Sequence, residues 1–452
     1  MLTSTANEDI RTSFWPRVRE FAVPASMIES ATARRLAGDW AGACAAAGFD
    51  VDLNLRAVAR DHGRDLASRV RSDLRALAPD LLRWHMPRIA PDGLLRPGLT
   101  LALARYDSVE GPVHLVARTA PAWADAGQRI SLALWSRSAR DAVRHPHPRP
   151  NRRFRLDLHR HLWDASRALE LRERSGSGEP PARELSRAAP ELGVPSACAV
   201  EYWAAEARTL LAAEGRGDGR LSVRWGGRGR LVLELAAGDG LVRPVPGPPA
   251  AAVAALPVLP DAATWVPPDL RLLRAGAIEA ERLHPLVAAA LAPDRAATGP
   301  PRAPDLPGRP RLVECRGARH RIGLVDGVLV PLDHDPEEIR REELLVALTG
   351  TPLPCLQAID EAHRRPHCLD GVRERLVHGD TAGALAVVEG LLGPEALLRT
   401  GPLRDELEAA ALRRVTYGLF RAGLTGPGPT WFRPRPTGRD SRTRRAHPRH
   451  AH

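Results

Sequence analysis

The chain has 452 residues, 44% of them hydrophobic and 26% charged, which is the composition of packed cores rather than of a disordered polymer. Its formal net charge of +11 is carried without a single lysine, so all 65 residues in the Lys+Arg count are arginine. Reactions that need a lysine amine are thereby excluded, including those of the P-loop phosphate lysine, the kinase strand lysine and Schiff-base nucleophiles.

The patterning predicts an α+β chain, predominantly helical, with helical hairpins and small antiparallel sheets spread over several domains. Residues 1–136 read as a helical segment followed by a three-stranded meander. Within 24–48, Gly38 suits the left-handed end of one helix and Asp39 the cap of the next. Leu66, Val70, Leu74 and Leu77 then form one apolar helical stripe. The period changes at Leu99, Leu101 and Leu103, which alternate with small or polar residues, and Val113, Leu115 and Ala117 and then Ile130, Leu132 and Leu134 do the same.

Residues 137–157 form a basic connector, with seven arginines between 137 and 155 against Asp141 alone. A middle domain over 158–292 starts with a helix capped by Asp157, in which Leu158, Leu162, Ala165 and Leu169 share a face. Arg174 to Pro181 reads as a linker. A helix near 197–213 and a hairpin of Leu221–Trp225 with Arg230–Leu235 complete this domain. The segment 293–310 holds six prolines and marks the clearest boundary. Beyond it, 311–425 reads as a small sheet (Arg311–Glu314, His320–Val325, Val328–Leu332) followed by a helical bundle. Asp335, Pro336, Glu337 and Glu338 give the strongest helix start in the chain. Residues 426–452 form a disordered arginine-rich tail.

One short pattern occurs twice. Arg35-Leu36-Ala37-Gly38-Asp39-Trp40-Ala41-Gly42-Ala43 is matched by Arg375-Leu376-Val377-His378-Gly379-Asp380-Thr381-Ala382-Gly383-Ala384, with one extra residue before the turn. Two copies do not make a repeat array, and independent use of a common turn accounts for both.

Four groups have metal-ligand or anion-binding chemistry. His145, His147, His159 and His161 lie in or beside the connector, and two of them with Asp157 or Asp164 would make a ligand set. His159 and His161 project about 200° apart on a helix and share a face only on a strand. The second group is Cys355, His363, His367 and Cys368, residue types that suit zinc, with Cys315 and His320 available from the nearby sheet. Its spacing matches no standard finger, and Pro366 interrupts the helix between the histidines. Third is the acidic run Asp333, Asp335, Glu337, Glu338, Glu342 and Glu343 beside His334, which a helix N-terminus explains. Last come Arg433, Arg435, Arg439, Arg442, Arg444, Arg445 and Arg449, which with Trp431 would contact phosphates and stack on bases.

Asp360-Glu361-Ala362-His363 spells the helicase box, but that box works beside a lysine-bearing phosphate loop, and none exists here. No Gly-x-Ser-x-Gly elbow and no Gly-x-Gly-x-x-Gly loop occurs. The five widely spaced cysteines (Cys44, Cys198, Cys315, Cys355 and Cys368) and the absence of a long apolar run fit a reducing cytoplasm and no membrane span.

Arg311-Leu312-Val313-Glu314-Cys315-Arg316-Gly317, Leu332-Asp333-His334-Asp335-Pro336 and Trp84-His85-Met86-Pro87 resemble stretches of an uncharacterised actinobacterial protein family. That resemblance implies a bacterial cytoplasmic setting and transfers no activity and no functional residue. The expectation is a non-enzymatic intracellular interaction or scaffold protein that binds another protein. The alternatives are a nucleic-acid-associated protein using the arginine tail and a metal-dependent enzyme. No cofactor is expected, zinc being the one metal the residue types would suit.

Overall fold

Periodicity becomes burial in the first helices. Leu66, Val70 and Leu74 lie on the inner face of the Arg64–Ala76 helix and are 3%, 0% and 0% exposed. Full burial of each such side chain contributes on the order of 1.5–3 kcal/mol. Pro79 then opens a separate helix, Pro79–His85, that buries Leu81, Leu82 and Trp84. The computed structural model describes residues 14–124, 128–137, 145–175, 183–226, 229–236, 242–293, 311–315, 317–325, 328–349, 354–357, 359, 369–392 and 401–424. Over these residues the protein is α+β, with helices and small, mainly antiparallel sheets. No helix among them is long and apolar enough to cross a membrane.

The first sheet contains β1 (Phe49–Asp52), separated in sequence from its neighbours by a two-residue-per-strand hairpin, β2 (Arg88–Ile89) and β3 (Leu94–Leu95). The meander follows as β4 (Thr100–Tyr106), β5 (Val113–Thr119) and β6 (Ile130–Trp135), with the antiparallel pairing that the alternation predicts. β1 adds to its edge in parallel, Phe49 opposite Ile130. The core on this sheet also takes Leu272, Val287, Ala288 and Ala290 from the helices Pro268–Arg274 and Pro285–Leu291.

A second core is built on the Trp203–Ala213 helix and on β7 (Gly219–Trp225), β8 (Gly229–Leu235) and β9 (Val242–Val245). β7 and β8 are the expected hairpin, whereas β9 carries Pro244 and gives no strand signal in the sequence.

The segment from Leu158 to Leu169 is not the α-helix that its apolar spacing predicts. It runs as two 3-10 turns, Arg160–Leu162 and Ala165–Glu170, before one α-turn at Leu171–Arg174. Asp157 cannot cap it because Arg155 holds that carboxylate at 2.8–3.1 Å. Asp164 caps the second turn instead, accepting from the Ser166 amide at 3.0 Å. Trp163 is drawn fully into the core, its Nε1 donating to the Leu156 carbonyl at 3.0 Å.

The third sheet is β10 (Arg311–Cys315), β11 (Ala318–Val325) and β12 (Val328–Pro331), all antiparallel. Asp335 accepts from the Glu337 amide at 3.0 Å and opens the Pro336–Thr349 helix. Helices Leu369–His378, Thr381–Leu392 and Pro402–Arg421 follow. They reach the first core through Arg83, which donates to the His378 carbonyl at 2.8 Å, through the Arg17–Glu374 ion pair and through the last helix. The 293–310 segment beyond Pro293, the linker from 176 to 181 and the 426–452 tail lie outside the described residues.

Candidate metal centre

Two of the histidines near the connector, His145 and His159, have structural partners. His145 is buried; its Nε2 lies 3.0 Å from the Thr119 carbonyl, and its Nδ1 accepts from the His147 amide at 3.2 Å. His159 has both ring nitrogens engaged, Nδ1 with the Arg155 carbonyl and Nε2 with Glu206, each at 3.1 Å. Arg174 grips the same carboxylate with bonds of 2.7 and 2.6 Å. Burial opposes ionisation of Glu206, but the bonds from His159 and Arg174 outweigh it and hold the carboxyl at about 2. His161 packs edge-on against His159 and is pushed well below the ordinary imidazole range, first by burial and then by His159 and Arg174. Asp164 is taken by Arg160 and Ser166. His159 is therefore tied to Glu206 of the second core, His161 Nδ1 stays buried without a hydrogen-bond partner, and among the described residues neither joins a metal-donor cluster.

Three of the connector arginines, Arg152, Arg153 and Arg155, are likewise committed. The Asp157 amide donates to the Ala102 carbonyl at 2.9 Å, and the Phe154 carbonyl accepts from the Ala102 amide at 3.1 Å. This lays residues 154–157 along β4. Arg153 makes a bidentate pair with Asp261 at 2.8 and 2.9 Å, Arg155 pairs with Asp157 and Glu214, and Arg152 donates to the Ala254 carbonyl at 2.8 Å. They join the first core to the second. A cavity of about 260 Å³ opens beside them, lined by Arg152, Arg155, Glu214 and Arg216 among others. The arginine tail (Arg433 to Arg449) lies outside the described residues.

The cysteine group comes together differently from the sequence grouping. β11 runs antiparallel to both its neighbours, so the ends of β10 and β12 meet the start of β11. That topology puts Cys315, His320 and the turn after Pro331 at one end of the sheet. Arg321 fixes the turn: its amide donates to Asp333 at 2.7 Å and its guanidinium grips the same carboxylate, holding Asp333 at about 2. His334 is thereby turned inward with a side chain 4% exposed. Cys355 arrives from the helical turn 354–357.

Donor atoms of Cys315, His334 and Cys355 all lie within 4.8 Å of one another. Cys315 and Cys355 are 1% and 0% exposed and pack with Val313, Ile339 and Leu356. Burial and the neighbouring Cys315 thiol push Cys355 up to about 11. The His334 Nε2 and His320 Nδ1 atoms are buried without hydrogen-bond partners. The two rings stack at 4.1 Å with 14° between their planes. Two thiols and an imidazole are donors for a borderline-soft divalent ion.

Cys355 and Cys315 were thus legible as donors, whereas His334 reads in the sequence as part of an acidic helix start. The signal for it is topological, since a short meander returns its third strand beside the end of its first. His363, His367 and Cys368 lie outside the described residues. The neighbouring carboxylates have separate roles: Asp335 caps, Glu337 pairs with Arg340 at 3.1 Å, and Glu338 lies 3.7 Å from the His334 Nδ1.

No protein-family model, no curated protein and no solved structure matches the chain.

Proposed function

We propose that this chain is a non-catalytic interaction protein that binds a partner protein through its last helix. One face of that helix supports the reading. The Pro402–Arg421 helix is anchored on one side by Tyr417, which donates to Asp50 at 2.5 Å, by the Arg421–Asp52 ion pair, and by Phe420 against Trp123. On another side Leu412, Val415 and Leu419 stay 67%, 59% and 37% exposed. Their i, i+3, i+7 spacing is that of an amphipathic helix laid into an apolar groove of a second protein. Any metal held by Cys315, His334 and Cys355 would, in this reading, brace the fold rather than perform chemistry.

The test is site-specific photo-crosslinking in cells with the probe at Leu412 or Val415, and at exposed Val109 as the control. A discrete adduct at the two helix positions, lost in the Leu412→Glu/Val415→Glu chain, is expected. Adducts of equal yield at Val109 would sink the reading. So would turnover of a substrate by the purified chain that a single point substitution abolishes.

A further inference from the structure

The cluster at the end of the third sheet carries an inference independent of the interaction reading. Buried polar atoms without partners are rare, because each forfeits its hydration without replacement. Other histidines among the described residues carry such an atom, His161 and His378 included, but only at His334 do two buried thiols stand beside it. Tetrahedral zinc with Zn–S near 2.3 Å separates its ligand atoms by about 3.7 Å. Donors already within 4.8 Å of one another need only a small inward movement to reach that spacing.

We infer that Cys315, His334 and Cys355 form a Zn²⁺ site, with His334 Nε2 as the nitrogen donor. Two thiolates balance the ion's charge, so the buried site becomes neutral on loading, and sulfur donors select zinc over magnesium or calcium. The other ring nitrogen, Nδ1, stands 3.7 Å from Glu338 Oε2, beyond hydrogen-bond length, and loading would draw the two together into the carboxylate–histidine pair that orients metal-bound imidazoles. His320 is a positioning residue. Its ring is nearly parallel to that of His334, so the in-plane lone pairs of the two rings run in separate planes and do not meet at one ion. It clamps the ligand ring instead. The ion would tie the end of β10, the turn after β12 and the helical turn at 354–357 into one unit, with one tetrahedral position left to a further ligand.

The experiment uses the full chain, untagged, purified under reducing conditions, stripped with chelator and titrated with Co²⁺ and then Zn²⁺. One equivalent of Co²⁺ should produce tetrahedral visible bands and a thiolate-to-cobalt charge-transfer band in the near ultraviolet, both erased by Zn²⁺. Cys315→Ser and Cys355→Ser should each lose most of the charge-transfer intensity, and His334→Ala should lower zinc affinity at least about tenfold. Glu338→Gln, which leaves all three donors in place, should weaken binding by about tenfold while keeping the cobalt spectrum. His320→Ala should still bind one equivalent. A folded wild-type chain that shows no charge-transfer band overturns the site. So does a chain whose mass under non-reducing conditions reveals a Cys315–Cys355 disulfide that added thiols reduce, or metal binding that survives both serine substitutions unchanged.

Discussion

Asp39 and Asp380 occupy the same position in the same turn. Asp39 accepts from the Gly42 amide at 2.8 Å and pairs with Arg34 at 3.0 Å, while Asp380 accepts from the Gly383 amide at 2.9 Å and pairs with Arg375 at 2.8 Å. The backbone repeats too: Asp39 N bonds to the Arg34 carbonyl and Asp380 N to the Arg375 carbonyl, with Gly38 and Gly379 at φ +79° and +88°. The structural register therefore pairs Arg34, not Arg35, with Arg375, and the extra residue suggested by the letters disappears. Gly42 and Gly383 are required for one reason, since a Cβ at either would overlap its own capping carboxylate. Asp380, which is nearly buried, should cost about 1 kcal/mol as Ala and much less as Asn. Gly383→Ala should cost a similar amount by displacing the cap. Urea unfolding midpoints of the three variants test this, and equal midpoints for Asp380→Ala and wild type would remove the cap from the account.

The buried pair Arg19–Asp269 joins the Trp15–Phe21 helix to the Pro268–Arg274 helix. Its two bonds are 2.7 and 3.0 Å, Trp84 Nε1 donates to the same carboxylate at 3.0 Å, and Arg19 also donates to the Trp84 carbonyl at 2.7 Å. Both side chains are at most 2% exposed. Asp269→Ala strands a guanidinium in the core and should destabilise by about 3–5 kcal/mol, whereas a paired substitution of both residues by apolar ones should cost far less. Denaturant unfolding of the two variants distinguishes an unpaired charge from simple lost packing.

Local features of the fold were legible and distant ones were not. The meander over β4–β6, the β7–β8 hairpin and the Asp335 helix start follow from period, turn residues and capping, all read within a few positions. β1 was not legible, because Phe49–Asp52 is short and its parallel partner Ile130–Trp135 lies far along the chain. The Leu158–Leu169 spacing fits a helix, yet Arg155 removed its cap and Trp163 was worth more in the core than on a helical face. The connector arginines look like an anion-binding stripe until Asp261, Asp157 and Glu214 arrive from elsewhere. For the metal cluster the residue types were legible and the grouping was not, since proximity came from strand order rather than spacing.

Acid should remove stability in two stages. His378 is pushed down to about 3, by burial first and then by Arg88, Arg83 and Arg17. An unfolded histidine titrates near about 6.5, so below that pH the unfolded chain gains a proton that the folded chain refuses. Stability from this group is intact above about pH 6.5 and is lost as pH falls toward 3. Glu206, held at about 2, adds a lower stage. Against an unfolded value near 4.3, a shift of about two units is on the order of 3 kcal/mol, present above about pH 4.3 and lost below it. Unfolding free energies measured from pH 7 to 3 should therefore decline first along the histidine limb and then more steeply. Glu206→Gln should abolish the steeper part and leave the first, and a profile level between pH 7 and 5 would contradict the role given to His378.

The last helix should detach before the first core unfolds. Its anchors on the sheet side are few, the Tyr417 hydroxyl on Asp50, Arg421 on Asp52, and Phe420 against Trp123, its other packing being with the two preceding helices through Leu403, Ala410 and the Arg373–Glu406 pair. Asp50 is shared with Arg129, and although burial opposes its ionisation, the bonds from Arg129 and Tyr417 keep it below the ordinary carboxylate range. Asp50→Asn retains an acceptor for Tyr417 but loses the charge, whereas Asp52→Ala removes both acceptors of Arg421. Each lost charged hydrogen bond is worth about 1.5–3 kcal/mol, a large share of what holds a single helix to a sheet edge. Hydrogen exchange should report this directly: amides of 402–421 exchange faster in Asp52→Ala, with those of β4–β6 unchanged. Faster exchange spread evenly over the sheet as well would mean that helix and sheet unfold as one unit, and that the anchors belong to the core rather than to a dock.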